Sequence, residues 1–142
     1  MKPSFPSLLK KELAELYQEL AEDQQSIAAV CHQCGECCNF VKYDHQLWVT
    51  DLELAYLIET EGYKPTTRSG LCPYMQGNQC TARTGRTLGC RIFLCTQNAV
   101  EMEALHEKYF NRLQALARKH SVELTYDEFL ESLQRAGAEM QQ

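Results

Sequence analysis

The stretch CHQCGECC, from Cys31 to Cys38, places four thiols within eight residues, and the last two of them are adjacent. Four more cysteines follow later in the chain: Cys72, Cys80, Cys90 and Cys95. Packing does not explain this crowding, because a single buried cysteine behaves as a small hydrophobic side chain that needs no companions. The spacing is typical of metal binding, and we expect the surrounding segment to fold about its metal.

The first five residues of this block, CHQCG, have the pattern of a metal knuckle. Two thiolates separated by two residues can bind one ion while backbone amides bond their sulfurs, and Gly35 permits the left-handed turn that follows. Cys37 repeats the spacing. Three such cysteines with a remote Cys-Pro, here Cys72-Pro73, are typical of bacterial cubane iron–sulfur clusters. A tetrathiolate zinc site uses the same ligands, so the choice of metal stays open.

The adjacent pair Cys37 and Cys38 indicates how the ligands divide. Successive side chains of an extended backbone point to opposite sides, so the two neighbours serve two sites more readily than one ion. We therefore predict two four-thiolate sites. The first comprises Cys31, Cys34, Cys37 and Cys72, and the second comprises Cys38, Cys80, Cys90 and Cys95. No histidine is expected among the ligands, and His32 is expected to point to solvent.

The redox compartment decides between metal and disulfides. The first residues lack a secretory pattern, since Lys10, Lys11 and Glu12 interrupt the apolar stretch, and no apolar run is long enough to cross a bilayer. These features predict a cytoplasmic protein, where thiols stay reduced and an even number of cysteines indicates metal. The alternative, a disulfide framework, would require an export route.

Charge is unevenly distributed along the chain. The segment 62–100 contains no Asp or Glu and carries five positive charges, whereas the whole chain carries −5 and the remainder therefore −10. The five cations are Lys64, Arg68, Arg83, Arg86 and Arg91. The acidic remainder argues against a nucleic-acid partner. We expect the cations to stabilise thiolates, with a solvated basic loop as the alternative.

The predicted fold class is mainly α, with about four helices supporting an irregular cysteine-rich centre and little or no sheet. Apolar residues at helical spacing, beginning with Leu9 and Leu13, predict an N-terminal helix whose stripe is core or a partner face. Three pairs with capping-box spacing predict the other helix starts: Thr50 with Glu53, Asn98 with Glu101, and Thr125 with Glu128. The second and last helices should end near Gly62 and Gly137.

The domain prediction is a single domain, 1–142, with an N-terminal helix (7–29), a cysteine-cluster core (30–96) and C-terminal helices (97–142). Between Gly62 and Cys95 no hydrophobic period is sustained, which predicts loop. The piece FVKYDHQLWV, residues 40–49, has β-favouring residues and is compatible with a strand or small hairpin.

The cysteine pattern resembles that of the CxxCxxCC family, the YkgJ-like cysteine-cluster proteins described as zinc- or iron-chelating domains. The resemblance rests on CHQCGECC, on Cys72-Pro73 followed by Cys80, and on CRIFLC, residues 90–95, and it covers about residues 28–98. It implies that all eight cysteines are metal ligands. One departure is Thr87 after Arg86, where the family usually has Arg-Pro. The label of iron–sulfur protein often given to the family implies a redox function.

Three functions fit these patterns. The first is an iron–sulfur protein, for example with a 4Fe-4S cluster, that transfers electrons or supports a partner enzyme. The second is a zinc-binding structural or interaction module without redox activity. The third is an enzyme with a catalytic metal, which would need an open ligand position that the sequence does not show. A protein partner would be bound through the amphipathic terminal helices.

Overall fold

The computed structural model describes residues 6–26, 47–66, 71–76, 79–82, 84–92 and 99–140. These residues form five helices and two small two-stranded sheets, which confirms a mainly α fold with little sheet. The helices are α1 (Ser7–Ser26), α2 (Asp51–Glu61), α3 (Leu88–Ile92), α4 (Ala99–Lys119) and α5 (Phe129–Met140). The strands are β1 (Trp48–Thr50), β2 (Met75–Gln76), β3 (Gln79–Cys80) and β4 (Tyr126–Glu128).

The described residues fall into two compact units. One, which we call the sheet unit, combines the described residues between 47 and 87 with 125–140. The other, which we call the helical unit, combines 6–26 with the described residues between 88 and 124. Whether the chain is a single domain, as the sequence predicts, stays a prediction. None of the described helices has the length and apolar character needed to cross a bilayer.

In the helical unit, α1 packs against α4. The helices are antiparallel, since Glu12 pairs with Lys119 at 2.7 Å while Asp23 pairs with Lys108 at 2.8 Å. The predicted stripe of α1 is core, because its leucines are at most 4% exposed: Leu9, Leu13, Leu16 and Leu20. The described part of the stripe is therefore covered within the chain. The predicted helix end at Ala29 lies outside the described residues.

In the sheet unit, α2 has the capping box that the sequence predicts. The Thr50 hydroxyl accepts a hydrogen bond from the Glu53 N–H at 3.1 Å, and the Glu53 carboxylate accepts one from the Thr50 N–H at 3.2 Å. At the other end the Gly62 N–H donates to the Ile58 carbonyl at 2.8 Å, and Gly62 has a φ of +84°, which glycine adopts without strain. Both predicted ends of this helix are confirmed.

The predicted start of the last helix at Thr125 is wrong. Residues 126–128 form β4, which pairs antiparallel with β1 in the register Trp48↔Glu128 to Thr50↔Tyr126. Glu128 then caps α5, since its carboxylate accepts hydrogen bonds from the N–H groups of Leu130 and Glu131 at 2.9 and 3.0 Å. The helix continues past Gly137 to Met140. Residues 126–128 form a strand and not a helical turn, because pairing with β1 satisfies their backbone hydrogen-bonding groups.

The prediction of loop between Gly62 and Cys95 is also wrong in part, since this segment contains the β2–β3 hairpin and α3. Its side chains are buried in each unit, because Tyr74 of the sheet unit and Leu88 and Ile92 of the helical unit are at most 1% exposed. The described part of the sheet unit contains a cluster of buried residues: Val49, Leu54, Leu57, Cys72, Tyr74, Ala82, Phe129, Leu133 and Ala136. A predicted ligand, Cys72, thus lies within the apolar core.

Candidate metal centre

Three of the eight predicted ligands lie within the described residues: Cys72, Cys80 and Cys90. The other five lie outside them: Cys31, Cys34, Cys37, Cys38 and Cys95. Among the residues that the structure describes, no group of three or more Cys, His, Asp or Glu side chains is arranged to hold a metal ion. The eight-thiolate set and its division into two sites therefore stay predictions.

Cys72 begins a tight turn. Its carbonyl accepts a hydrogen bond from the Met75 N–H at 3.0 Å, so residues 72–75 form a β-turn with Pro73 at the second position. Proline suits that position because its ring fixes φ near the value that the turn requires. The Cys-Pro pair, which the sequence connects with cluster binding, has here a local structural role as well. Cys72 is 8% exposed, as expected for a ligand shielded from water and equally for a cysteine of the core.

Cys80 lies across the hairpin from this turn. It pairs with Met75 in the β2–β3 register, and the next N–H, that of Thr81, donates to the Tyr74 carbonyl at 2.8 Å. Cys80 is half-buried and packs against the cluster that contains Cys72. The hairpin thus brings two predicted ligands, eight residues apart in sequence, to the same apolar cluster.

Tyr74 anchors this hairpin. Its ring is 1% exposed, and its hydroxyl donates to the Gly62 carbonyl at 2.7 Å. Burial raises the pKa of the Tyr74 hydroxyl to about 12, so the group remains a neutral hydrogen-bond donor at physiological pH. Lys64, one of the five cations of the central segment, has its ammonium 5.6 Å from the centre of the Tyr74 ring. Tyr74 was not predicted as a site residue; its sequence signal is an aromatic side chain two positions after Cys72.

Cys90 is carried by α3 in the helical unit. Leu88, Gly89 and Ile92 of this helix are buried, whereas Cys90 and Arg91 are half-buried. At 100° per residue, Leu88 and Ile92 share one face and Cys90 lies on the opposite one. The helix is therefore fixed through its aliphatic face while Cys90 lies on its more accessible side.

Arg91 does not extend freely into solvent. Its guanidinium carbon lies 3.7 Å from the centroid of the Tyr17 ring on α1. Two of the other predicted cations, Arg68 and Arg83, lie outside the described residues, and Arg86 is half-buried. The predicted role of these cations beside thiolates remains untested. Tyr17 had no sequence signal beyond an aromatic residue on the apolar side of a helix.

Two histidines fall within the described residues, and both have other contacts. His106 stacks on Phe110 with 5.6 Å between the ring centres, and burial lowers the pKa of His106. The His120 ring lies 3.0 Å from a carboxylate oxygen of Glu12. Both histidines thus contact other side chains of the helical unit. His32 and His45 lie outside the described residues.

The donor set suits a thiophilic metal on chemical grounds. Thiolate sulfur is the preferred ligand of zinc and of iron in iron–sulfur clusters, and carboxylate-binding ions such as Mg²⁺ or Ca²⁺ are disfavoured. The two described cysteines of the sheet unit lie at an apolar cluster, and a surrounding of this kind limits water access to a metal. Comparisons of the chain with family models, with curated proteins and with solved structures found no match.

Proposed function

We propose that this chain is a metal-binding protein that holds iron, as an iron–sulfur cluster, or zinc through its eight cysteines. The resemblance to the CxxCxxCC family belongs to the same proposal. The observation that carries it is the cysteine spacing, four thiols in CHQCGECC followed by a Cys-Pro and a closing pair. The structure supports it at one point, where the hairpin brings Cys72 and Cys80 to one apolar cluster.

The iron–sulfur form would give the protein a redox role, either in electron transfer or in support of a partner enzyme. Its basis is the CxxCxxC triplet with Cys72-Pro73 and the all-thiolate ligand set that the cysteine spacing predicts. An enzyme with a catalytic metal would need an open ligand position, which the spacing does not supply. Cytoplasmic location belongs to this proposal, because reduced thiols are required for binding.

A zinc-binding structural module is the second candidate, and the β2–β3 hairpin favours it. Strands of two residues are far below the length that is stable without support. Structural zinc commonly holds short elements of this kind by binding cysteines at their ends. Cys80 lies in β3 and Cys72 lies three residues before β2, so a metal bound at either cysteine would hold one side of the hairpin.

Anaerobic purification with analysis of iron, zinc and acid-labile sulfide tests both candidates. An iron–sulfur cluster gives visible absorption and equal amounts of iron and sulfide, whereas zinc gives neither colour nor sulfide. As a matched control, the variant with Cys31, Cys34, Cys37 and Cys38 changed to Ser should lose metal. A wild-type protein that retains neither metal and takes up neither on reconstitution would overturn the proposal.

A further inference from the structure

Arg91 follows the predicted ligand Cys90 directly, and it contacts α1 at two points. Its guanidinium lies over the Tyr17 ring, 3.7 Å from the ring centre. Its backbone carbonyl accepts a hydrogen bond from the side-chain amide of Gln24 at 2.6 Å. Tyr17 and Gln24 are seven residues apart and therefore lie on the same face of α1. A single residue of α3 is thus held through both its side chain and its backbone.

The orientation of α3 depends on such contacts. A helix of five residues is too short to be stable alone. The last carbonyl groups of a helix have no hydrogen-bond partner within the helix. The side-chain amide of Gln24 donates to the Arg91 carbonyl, close to the helix end from which the chain continues towards Cys95. Tyr17 is only 4% exposed, so packing fixes its ring and the ring in turn gives the guanidinium a defined position.

Arginine is suited to this arrangement and lysine is not. A planar guanidinium stacks flat on a ring and still presents N–H donors around its edge, whereas an ammonium is a compact, strongly hydrated charge. The stacking therefore restricts the Arg91 side chain without using up its donors. Because Arg91 and Cys90 are consecutive in a short helix, fixing one restricts the backbone of the other.

We propose that Arg91, stacked on Tyr17 and bonded to Gln24, is a positioning residue that orients the Cys90 thiol for metal binding. The inference rests on the proposed function, because it treats Cys90 as a ligand. Residues outside the ligand set that orient ligands typically contribute about 10–100-fold to metal affinity. We expect the lower end of that range, since Leu88 and Ile92 also hold α3 by burial.

The test is a titration of the reduced, metal-free full chain with Co²⁺ under argon, followed through the cobalt–thiolate charge-transfer absorption. Arg91→Lys and Tyr17→Leu should each weaken the apparent Co²⁺ affinity about tenfold and alter the shape of the visible bands. Tyr17→Phe keeps the aromatic ring, so this variant should bind Co²⁺ with the wild-type affinity. Arg91→Lys changes a half-buried side chain, so it keeps the test valid if Tyr17→Leu fails to fold.

Arg112→Lys is the matched control, because Arg112 also lies over a tyrosine, with its guanidinium carbon 5.2 Å from the Tyr109 ring centre, and has no neighbouring cysteine. It should leave the titration unchanged. In a Cys90→Ser background, Arg91→Lys should have no further effect, since a positioning residue acts through its ligand. An equal loss in both backgrounds would overturn the inference.

Failure of the inference and failure of the proposed function give different results. If wild-type protein shows no thiolate charge-transfer band with Co²⁺ and takes up neither zinc nor iron, the proposed function is wrong. If wild type binds Co²⁺ and the Arg91 and Tyr17 variants bind it equally well, only the positioning role is wrong. A Tyr17→Phe variant as weak as Tyr17→Leu would also overturn it, because the ring would then not be the feature that matters.

Discussion

The ring of Tyr63 lies directly against the backbone of Gly137 on α5. A Cβ atom built at residue 137 would be 2.6 Å from the Cζ atom of Tyr63 and closer still to its hydroxyl oxygen. Real Cβ atoms essentially never approach another heavy atom so closely, so a side chain at residue 137 would displace the tyrosine. The present position of the Tyr63 side chain therefore depends on a glycine at residue 137, although this residue lies within a helix.

The first prediction is that Gly137→Ala destabilises the protein. In a helix this change normally stabilises, by up to about 1 kcal/mol, because glycine costs backbone entropy. Here the overpacking against Tyr63 should cost about 1–3 kcal/mol and reverse the sign. Urea unfolding followed by circular dichroism would measure it. Adding Tyr63→Ala should recover part of the loss, whereas a Gly137→Ala variant more stable than wild type would contradict the contact.

The second prediction concerns pH and the helical unit. Hydrogen bonds from Lys119 and then His120 lower the pKa of Glu12 below its ordinary value of 4.5. A carboxyl group whose pKa is lower in the folded than in the unfolded state stabilises the fold at pH values above its unfolded-state pKa. This contribution disappears as the pH falls through the folded-state pKa. Glu12→Gln should therefore be less stable than wild type at pH 7, and the difference should shrink below pH 4.5.

The measurement is the urea midpoint of both proteins from pH 7 to pH 3, compared pairwise at each pH so that release of metal affects both equally. Glu22→Gln, an exposed change on the same helix, is the control for the loss of one negative charge. A difference between Glu12→Gln and wild type that stays constant with pH would rule out the ionised carboxylate as its source.

The third prediction concerns metal removal. Binding of a metal by thiolates can supply on the order of 10 kcal/mol of folding free energy. Chelation should therefore increase hydrogen exchange in residues 71–82, where the two-residue strands have little support of their own. The backbone amides of α1 and α4 should stay protected from exchange, since these two helices pack against each other and their leucines are buried. Equal protection of residues 71–82 with and without metal would show that the metal is not structural.

The fourth prediction separates the two adjacent cysteines. If Cys37 and Cys38 serve different sites, Cys38→Ser should deplete the site that contains Cys80, Cys90 and Cys95 and leave the knuckle occupied. Cys37→Ser should do the reverse. Metal counting by mass spectrometry under native conditions would compare the two variants. The loss of the same metal in both would mean that the neighbours share one centre.

The helices were predictable where their signals are local. The stripe of α1 and the capping box of α2 depend only on residues within a few positions of each other, and both are confirmed. Residues 125–128 carry an equally good capping signal, yet they form β4, because the partner strand β1 lies more than seventy residues away. Local periodicity contains no information about such a partner.

The candidate site was predictable from the sequence only as a set of ligands. Spacing predicts a set of candidate cysteine ligands, but their surroundings arise from long-range contacts. The stacking of Arg91 on Tyr17 joins residues that are distant in sequence and that have no motif in common. The same holds for the Tyr74 hydroxyl, which donates a hydrogen bond to the Gly62 carbonyl.

The pairing of β1 with β4 has a consequence for biosynthesis. The sheet unit is discontinuous in sequence, since Thr50 lies opposite Tyr126 and the core residues Phe129 and Leu133 come from α5. On a ribosome, residues 47–87 would emerge long before the strand and helix that complete their core. Until then Cys72 and Cys80 would lack part of the apolar cluster around them. Until α5 has left the exit tunnel, the two thiols are therefore less shielded from water and oxidants than in the folded chain.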